Sequence, residues 1–142
     1  MAQYCPEWRD EYITPPLPQA VPTRMITELH HVNVTVPAEL ELEAKNFYRF
    51  VLGLPELPKP QGTRKSGAWY QMGAVQLHLS IEDGSQLSSR HICLTVKDLD
   101  AAEKQFRGAG VEIIADERPL PGTRRFYVRD PGGNQFEIVE RD

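Results

Sequence analysis

Several features that assign a protein to a class are scarce in this chain. Only two cysteines occur among its 142 residues, too few for a disulfide-stapled scaffold. No run of about eighteen apolar residues is present, and the N-terminus lacks the basic start and apolar core of a signal peptide. Basic residues are outnumbered by acidic ones, and a net charge of −4 gives no reason to expect binding to nucleic acid or to a membrane. We therefore expect a soluble cytoplasmic protein.

Proline is abundant but unevenly distributed. Residues 1–25 contain five of the twelve prolines, with Tyr4, Trp8 and Tyr12 between them. Such a density of proline is incompatible with a regular helix or an interior strand. Residues 1–25 are therefore predicted to form an irregular or extended arm that lies over its own domain or over a second copy, in preference to a peptide-recognition motif.

The rest of the chain contains one unit of about sixty residues twice. His31 aligns with His91 (91 − 31 = 60), and Gly62-Thr63-Arg64 recurs as Gly122-Thr123-Arg124 at the same offset. Further on, His78 aligns with Glu137 (137 − 78 = 59). Each unit reads strand, helix and three strands, which predicts an α+β fold with a first βαβββ module at residues 26–86 and a second at 87–142.

Alternation within the strands places four polar side chains on equivalent faces. Successive strand residues face opposite sides of a sheet, so His31 and Asn33 lie opposite Val32 and Val34. His78, His91 and Glu137 lie opposite apolar residues in the same way. If the modules pack about a pseudo-twofold axis with their apolar faces under helices, His31, His78, His91 and Glu137 can converge in a cleft. His30 has the opposite orientation and is interpreted as structural.

The motifs in these units resemble those of the vicinal oxygen chelate superfamily over roughly residues 27–140. This group contains glyoxalase I, methylmalonyl-CoA epimerase, fosfomycin-resistance enzymes, extradiol dioxygenases and bleomycin-resistance proteins. The resemblance implies two βαβββ modules that curl into an open mixed-sheet barrel around a divalent metal. The motifs that carry it are His31-Val32-x-Val-x-Val, Val51-Leu52-Gly53-Leu54, His91-Ile92-x-Leu-x-Val, Asp98-Leu99-Asp100 and Asp130-Pro131-Gly132-Gly133-Asn134-Gln135-Phe136-Glu137.

The resemblance also implies roles for the four polar residues. By position, His31, His91 and Glu137 match the superfamily's two histidines and one glutamate, which suit Zn, Ni, Mn, Co or Fe(II). His78 stands where metal-dependent glyoxalases carry glutamate and the epimerase carries glutamine. His78 is therefore either a fourth ligand or a proton-transfer group, and Glu137 or His78 is expected to move the proton.

Two classes of function are consistent with this resemblance. The first is a metal-dependent enzyme whose small-molecule substrate chelates the ion through two adjacent oxygens, with isomerase or lyase chemistry favoured over ring cleavage by an Fe(II) dioxygenase. The second is a non-catalytic ligand-binding or sequestering protein of the bleomycin-resistance type. Two-module relatives are commonly homodimers, so a homodimer is expected, arranged side by side or with exchanged modules.

The remaining polar and aromatic residues are interpreted more simply. The turn at residues 130–134 is interpreted as turn chemistry alone. Trp69, Tyr70 and Tyr127 either line the cleft or pack. The basic residues of the two equivalent loops and their surroundings are interpreted as solvated loop charge rather than as a substrate clamp; these are Arg64, Lys65, Arg118, Arg124, Arg125 and Arg129.

Overall fold

The computed structural model describes residues 25–84 and 87–142, so nearly all of the predicted N-terminal arm lies outside the described residues. Within them, two modules follow one another with the predicted order of elements. The first contains β1 (His31–Val36), a helical segment that includes α1 (Glu41–Asn46), β2 (Glu56–Leu57), β3 (Ala68–Met72) and β4 (Val75–Ile81). The second contains β5 (His91–Val96), α2 (Leu99–Gly108), β6 (Ile114–Ala115), β7 (Arg125–Arg129) and β8 (Gln135–Glu140).

Each module forms one open, mixed four-stranded sheet, in the orders β1-β4-β3-β2 and β5-β8-β7-β6. The first strand of each module pairs in parallel with the last, and the other pairings are antiparallel. Asn33 pairs with His78 and Cys93 with Glu137, so His78 and Glu137 occupy equivalent positions. The α+β fold of two related modules is thus confirmed.

The first helical segment is not one regular α-helix. It consists of a 3₁₀ turn (Ala38–Leu40), the short α-helix α1 and a π-helical turn (Phe47–Val51). The wider π turn accompanies the burial of two consecutive aromatic residues, Phe47 and Tyr48. Among the described residues, no helix has the length and apolar character needed to cross a membrane.

The second helix, α2, begins after an N-cap residue. Asp98 adopts an extended backbone conformation, and its carboxylate accepts a hydrogen bond from the Ala101 N–H at 2.9 Å, as an N-cap residue does. The strand that follows this helix, β6, is short and comprises only Ile114–Ala115.

The core lies on the helix-covered faces of the two sheets. Phe47 and Tyr48 of the first module both contact Phe136 of the second, with ring centroids 6.3 and 6.1 Å apart. Burial of each large apolar side chain contributes about 1.5–3 kcal/mol to the stability of the fold. Because these aromatic residues come from both modules, the two modules share one hydrophobic core. The strand residues buried there are Val34, Val36, Leu77, Leu79, Phe126, Val128, Phe136 and Ile138.

The turn between β7 and β8 also joins the modules, so its interpretation as turn chemistry alone was wrong. Asp130 is buried and accepts hydrogen bonds from the Tyr48 hydroxyl and from the Asn134 N–H and side-chain amide, the latter two at 2.8 Å. The same amide donates to the Thr35 carbonyl of β1 at 2.9 Å. Gly132 is needed beside β1, since a Cβ there would lie 2.5 Å from Val36 Cγ1.

Replacing Tyr48 with Phe should therefore weaken the hydrogen-bonded contact between the two modules. The variant leaves a buried carboxylate short of one donor, so the free energy of unfolding should fall by about 1–3 kcal/mol in urea denaturation. Tyr127→Phe is the matched control, because within the described part of the chain the Tyr127 hydroxyl makes no hydrogen bond; its effect should stay below about 0.5 kcal/mol. Equal losses in the two variants would contradict the assignment.

Candidate metal site

One half of the predicted site lies on the open face of the second sheet. His91 Nδ1 lies 2.9 Å from the Ser89 carbonyl oxygen, which can only accept, so Nδ1 carries the proton. In the neutral ring His91 Nε2 is then an acceptor, and it lies 3.0 Å from Glu137 Oε2. Two acceptors at this separation need a proton or a cation between them. Ligands about 2.1 Å from one ion at a right angle are about 3 Å apart, so the pair fits metal binding.

The other carboxylate oxygen of Glu137 is held by Arg125. Arg125 Nη1 donates to Glu137 Oε1 at 3.1 Å, and Arg125 Nε donates to Asp116 Oδ2 at 2.7 Å. Hydrogen bonding to Asp116 raises the pKa of Arg125, so the guanidinium stays charged. The interpretation of Arg125 as solvated loop charge was wrong, because its side chain is 15% exposed and bridges two carboxylates.

Arg129 was also misinterpreted as solvated charge, whereas Arg124 is exposed as predicted. Arg124 Nη2 pairs with Asp100 Oδ1 at 2.6 Å, and Arg129 Nη1 donates to the Gly133 carbonyl at 2.6 Å. Alternation in the strand at residues 125–129 could have identified Arg125 and Tyr127 as open-face residues, because Phe126 and Val128 are apolar. No comparable sequence pattern identifies Asp116 as a partner of Arg125.

The other half of the site lies on the open face of the first sheet and is built of stacked rings. The rings of His31 and His78 have centroids 4.1 Å apart and planes 12° apart, and Trp69 stacks on His78 at 4.1 Å and 3°. His78 is therefore enclosed between the other two rings. Gln76 Oε1 lies 2.9 Å from His78 Nε2, and His30 Nδ1 lies 2.9 Å from His31 Nδ1.

This stack restricts which histidine of the first module can bind a metal. An imidazole nitrogen directs its lone pair in the plane of the ring. Because the rings of His31 and His78 are nearly parallel and separated by 4.1 Å, no nearby ion lies in both planes. In this arrangement the two histidines are not joint ligands of one ion. Burial lowers the pKa of His78, and the neighbouring His31 and His30 lower it further, so His78 is neutral near pH 7.

The four predicted residues thus lie in two pairs, one in each module. Within residues 25–84 and 87–142 of one chain, no group of three or more His, Cys, Asp or Glu side chains is placed to hold a metal ion. The predicted convergence of all four in a cleft of a single chain is therefore not observed. The modules dock through Tyr48, Asp130 and Phe136, on the helix-covered side.

Aromatic residues flank both pairs at equivalent positions. In the strand pairing Trp69 lies opposite His78 and Tyr127 opposite Glu137. The Tyr127 ring meets the His91 ring edge to face, with centroids 5.9 Å apart. Trp69 and Tyr127 therefore line the open faces, whereas Tyr70 is buried in the core.

Residues 28–138 match the family model of the Glyoxalase/Bleomycin resistance protein/Dioxygenase superfamily. The chain belongs to this superfamily. It is 33% identical to a putative glyoxalase family protein of known structure from Bacillus anthracis, with a TM-score of 0.75 over 84% of this chain and 99% of that one.

Two further relatives illustrate the range of this superfamily. "Glyoxylase I 4" of Arabidopsis thaliana is 25% identical, with 82% of this chain and 72% of that protein covered. A point mutant of the fosfomycin resistance protein FosX from Listeria monocytogenes, complexed with Mn(II) and 1S,2S-dihydroxypropylphosphonic acid, is 17% identical. Its TM-score is 0.73 over 83% of this chain and 95% of that one.

The reactivity of Cys93 should report on the charge of Glu137. Burial raises the pKa of the Cys93 thiol, and the Glu137 carboxylate raises it further. In a Cys5→Ser background, Glu137→Gln removes a negative charge, lowers the thiol pKa and should increase the rate of alkylation by iodoacetamide at pH 8 severalfold. Glu117→Gln, on an exposed loop, should leave the rate unchanged. A rate insensitive to Glu137→Gln would contradict this placement.

Proposed function

We propose that this protein is a metal-dependent enzyme that binds a small substrate through two adjacent oxygens on a divalent ion. The observation that carries the proposal is the 3.0 Å approach of His91 Nε2 to Glu137 Oε2, with the other ring nitrogen and the other carboxylate oxygen already engaged. Imidazole and carboxylate donors suit Zn, Ni, Mn, Co or Fe(II). The Mn(II) complex of FosX, which shares this fold, lends support.

The residues of the two half-sites have different roles in this proposal. His31, His91 and Glu137 would hold the ion, which when bound acts as a Lewis acid on the substrate oxygens. Both oxygens of Glu137 are engaged, by His91 and Arg125, which favours a ligand role. His78 is neutral, oriented by Gln76 and held by the stack, which suits proton transfer to or from the substrate. Such chemistry fits an isomerase or lyase better than a ring-cleaving dioxygenase.

The proposed site is completed by a second copy of the chain. Each copy carries one half-site per module, and the described part of one chain brings only pairs together. If the first sheet of one copy faces the second sheet of its partner, each of two equivalent sites gains one histidine from one copy and a histidine with a glutamate from the other. A twofold homodimer satisfies this arrangement, since each copy then contributes both halves.

The alternative function, ligand binding without chemistry, is favoured by one observation. The stacked rings of Trp69, His78 and His31 form an aromatic column on the open face of the first sheet. Aromatic surfaces of this kind bind flat ligands through stacking. On this alternative the chain needs no metal, so metal content separates the two functions.

Metal content should depend on three of the four residues. We expect near-stoichiometric metal by mass spectrometry of tag-free protein, and at least about tenfold lower occupancy in His31→Ala, His91→Ala and Glu137→Ala. His78→Phe is the matched control, because it keeps an aromatic ring in the stack and should retain the metal. Wild-type protein that stays metal-free after incubation with Zn, Ni, Mn and Fe(II) would refute the enzyme proposal and favour the binding protein.

Mixing two variants that each lose the metal should restore part of the metal binding. His31→Ala and His91→Ala each remove a ligand from every site in their own homodimers. In a mixed dimer one site carries both substitutions and the other carries neither, so a statistical mixture should recover about a quarter of the wild-type sites. The mixture is prepared by unfolding and refolding the variants together, with each variant refolded alone as the control. No recovery would place the whole site within one chain.

A further inference from the structure

A small cavity opens on the first sheet beside His78. Its volume is about 230 Å³, and its lining includes Asn33, Lys59, Arg64, Ser66, Trp69 and His78. It contains two basic side chains, and none of the described aspartate or glutamate residues lines it. We infer that this cavity binds an anionic group of the substrate, a carboxylate or a phosphate. The inference rests on the proposed function, because it assigns a part of the substrate.

Of the two basic side chains in the cavity, Arg64 is the one whose charged group has no partner among the described residues. In the second module Arg124 of the repeated Gly-Thr-Arg motif is neutralised by Asp100 at 2.6 Å and Glu140 at 3.4 Å. The equivalent positions of the first module hold Leu40 (100 − 60 = 40) and Ile81 (140 − 59 = 81), which carry no charge. Across residues 25–84 and 87–142, the Arg64 guanidinium makes no hydrogen bond or ion pair. A guanidinium of this kind matches the planar geometry of a carboxylate or phosphate.

The first module has no counterpart of the Arg125 side chain. Trp69 and Tyr127 hold equivalent places in the strand pairing (127 − 69 = 58). This offset is two smaller than at the Gly-Thr-Arg motif (60 − 58 = 2), so the first module has two more residues between the motif and the strand, and Gly67 is the counterpart of Arg125 (125 − 58 = 67). Gly67 has φ +77°, and a Cβ there would lie 2.0 Å from the Leu79 carbonyl oxygen. Where the Arg125 side chain of the second module reaches Glu137, the first module has no side chain. His78 therefore faces a cavity instead of a built-in cation.

The loop that carries Arg64 is held in place by its own contacts. Lys59 Nζ donates to the Arg64 carbonyl and, at 2.5 Å, to the Ser66 carbonyl, so it adds positive charge while fixing the loop. Asn33 Oδ1 accepts from the Ser80 hydroxyl at 2.7 Å, which leaves the Asn33 amide N–H groups as donors for a ligand. Glu41, which accepts the Gly67 N–H at 2.8 Å, is paired with Lys45 at 2.8 Å and does not line the cavity.

Trp69 provides a direct readout of occupancy. The chain has two tryptophans, so Trp8→Phe leaves Trp69 as its single tryptophan. We would titrate inorganic phosphate and, separately, acetate at constant ionic strength set with chloride, and follow the emission of Trp69. The same titrations are repeated in three variants. Arg64→Met removes the positive charge and Arg64→Lys keeps it on a different side chain. Lys65→Met is the control, because it removes a neighbouring exposed charge that does not line the cavity.

We expect a saturable change with at least one anion, and the anion that binds more tightly identifies the substrate group. Arg64→Met should weaken binding at least about tenfold, Arg64→Lys should restore part of it, and Lys65→Met should have no effect. No saturable response to either anion, or an equal response in Arg64→Met, would overturn the inference. Metal content of the same samples separates the two proposals: normal metal without an anion response refutes only this one, and an anion response without metal refutes only the enzyme.

Discussion

The carboxylate of Asp130 is buried between the modules and receives hydrogen bonds from the Tyr48 hydroxyl and from two donors of Asn134. A buried charge is costly unless it is fully hydrogen-bonded, so this network tolerates little displacement of its members. It links the first helical segment, the β7–β8 turn and, through the Thr35 carbonyl, β1. The strands that carry both half-sites are therefore fixed relative to one shared core.

On this common scaffold the two modules have diverged in chemistry at equivalent positions. Where the second module has Glu137 held by Arg125, the first has His78 beside Gly67. One open face is therefore charged and suited to a metal, whereas the other is aromatic and leaves a cavity. In the proposed function the second module supplies His91 and Glu137 to the ion, and the first supplies His31 to the ion and the cavity beside His78 to the substrate.

Much of this arrangement could be predicted from the sequence. The repeat and the period-two alternation predicted the order of elements, the equivalent positions of His78 and Glu137, and the apolar faces that form the core. Turn residues predicted where the β7–β8 connection lies, but not that Asp130 binds Tyr48, 82 residues away. The π turn was also missed, because apolar spacing along a helical segment does not distinguish an α-helical from a π-helical turn.

Local alternation along a strand is enough to assign which side chains share a face, because it depends only on neighbouring residues. Which of those side chains meet depends on how the strands and helices pack. His91 reaches Glu137 and His31 stacks on His78, while the two pairs stay apart within the described part of one chain. Distances between sheets depend on how the helices and the Asp130 network dock the modules, and these contacts join residues far apart in the chain. Local patterns therefore fixed the composition of the site, and long-range packing fixed its geometry.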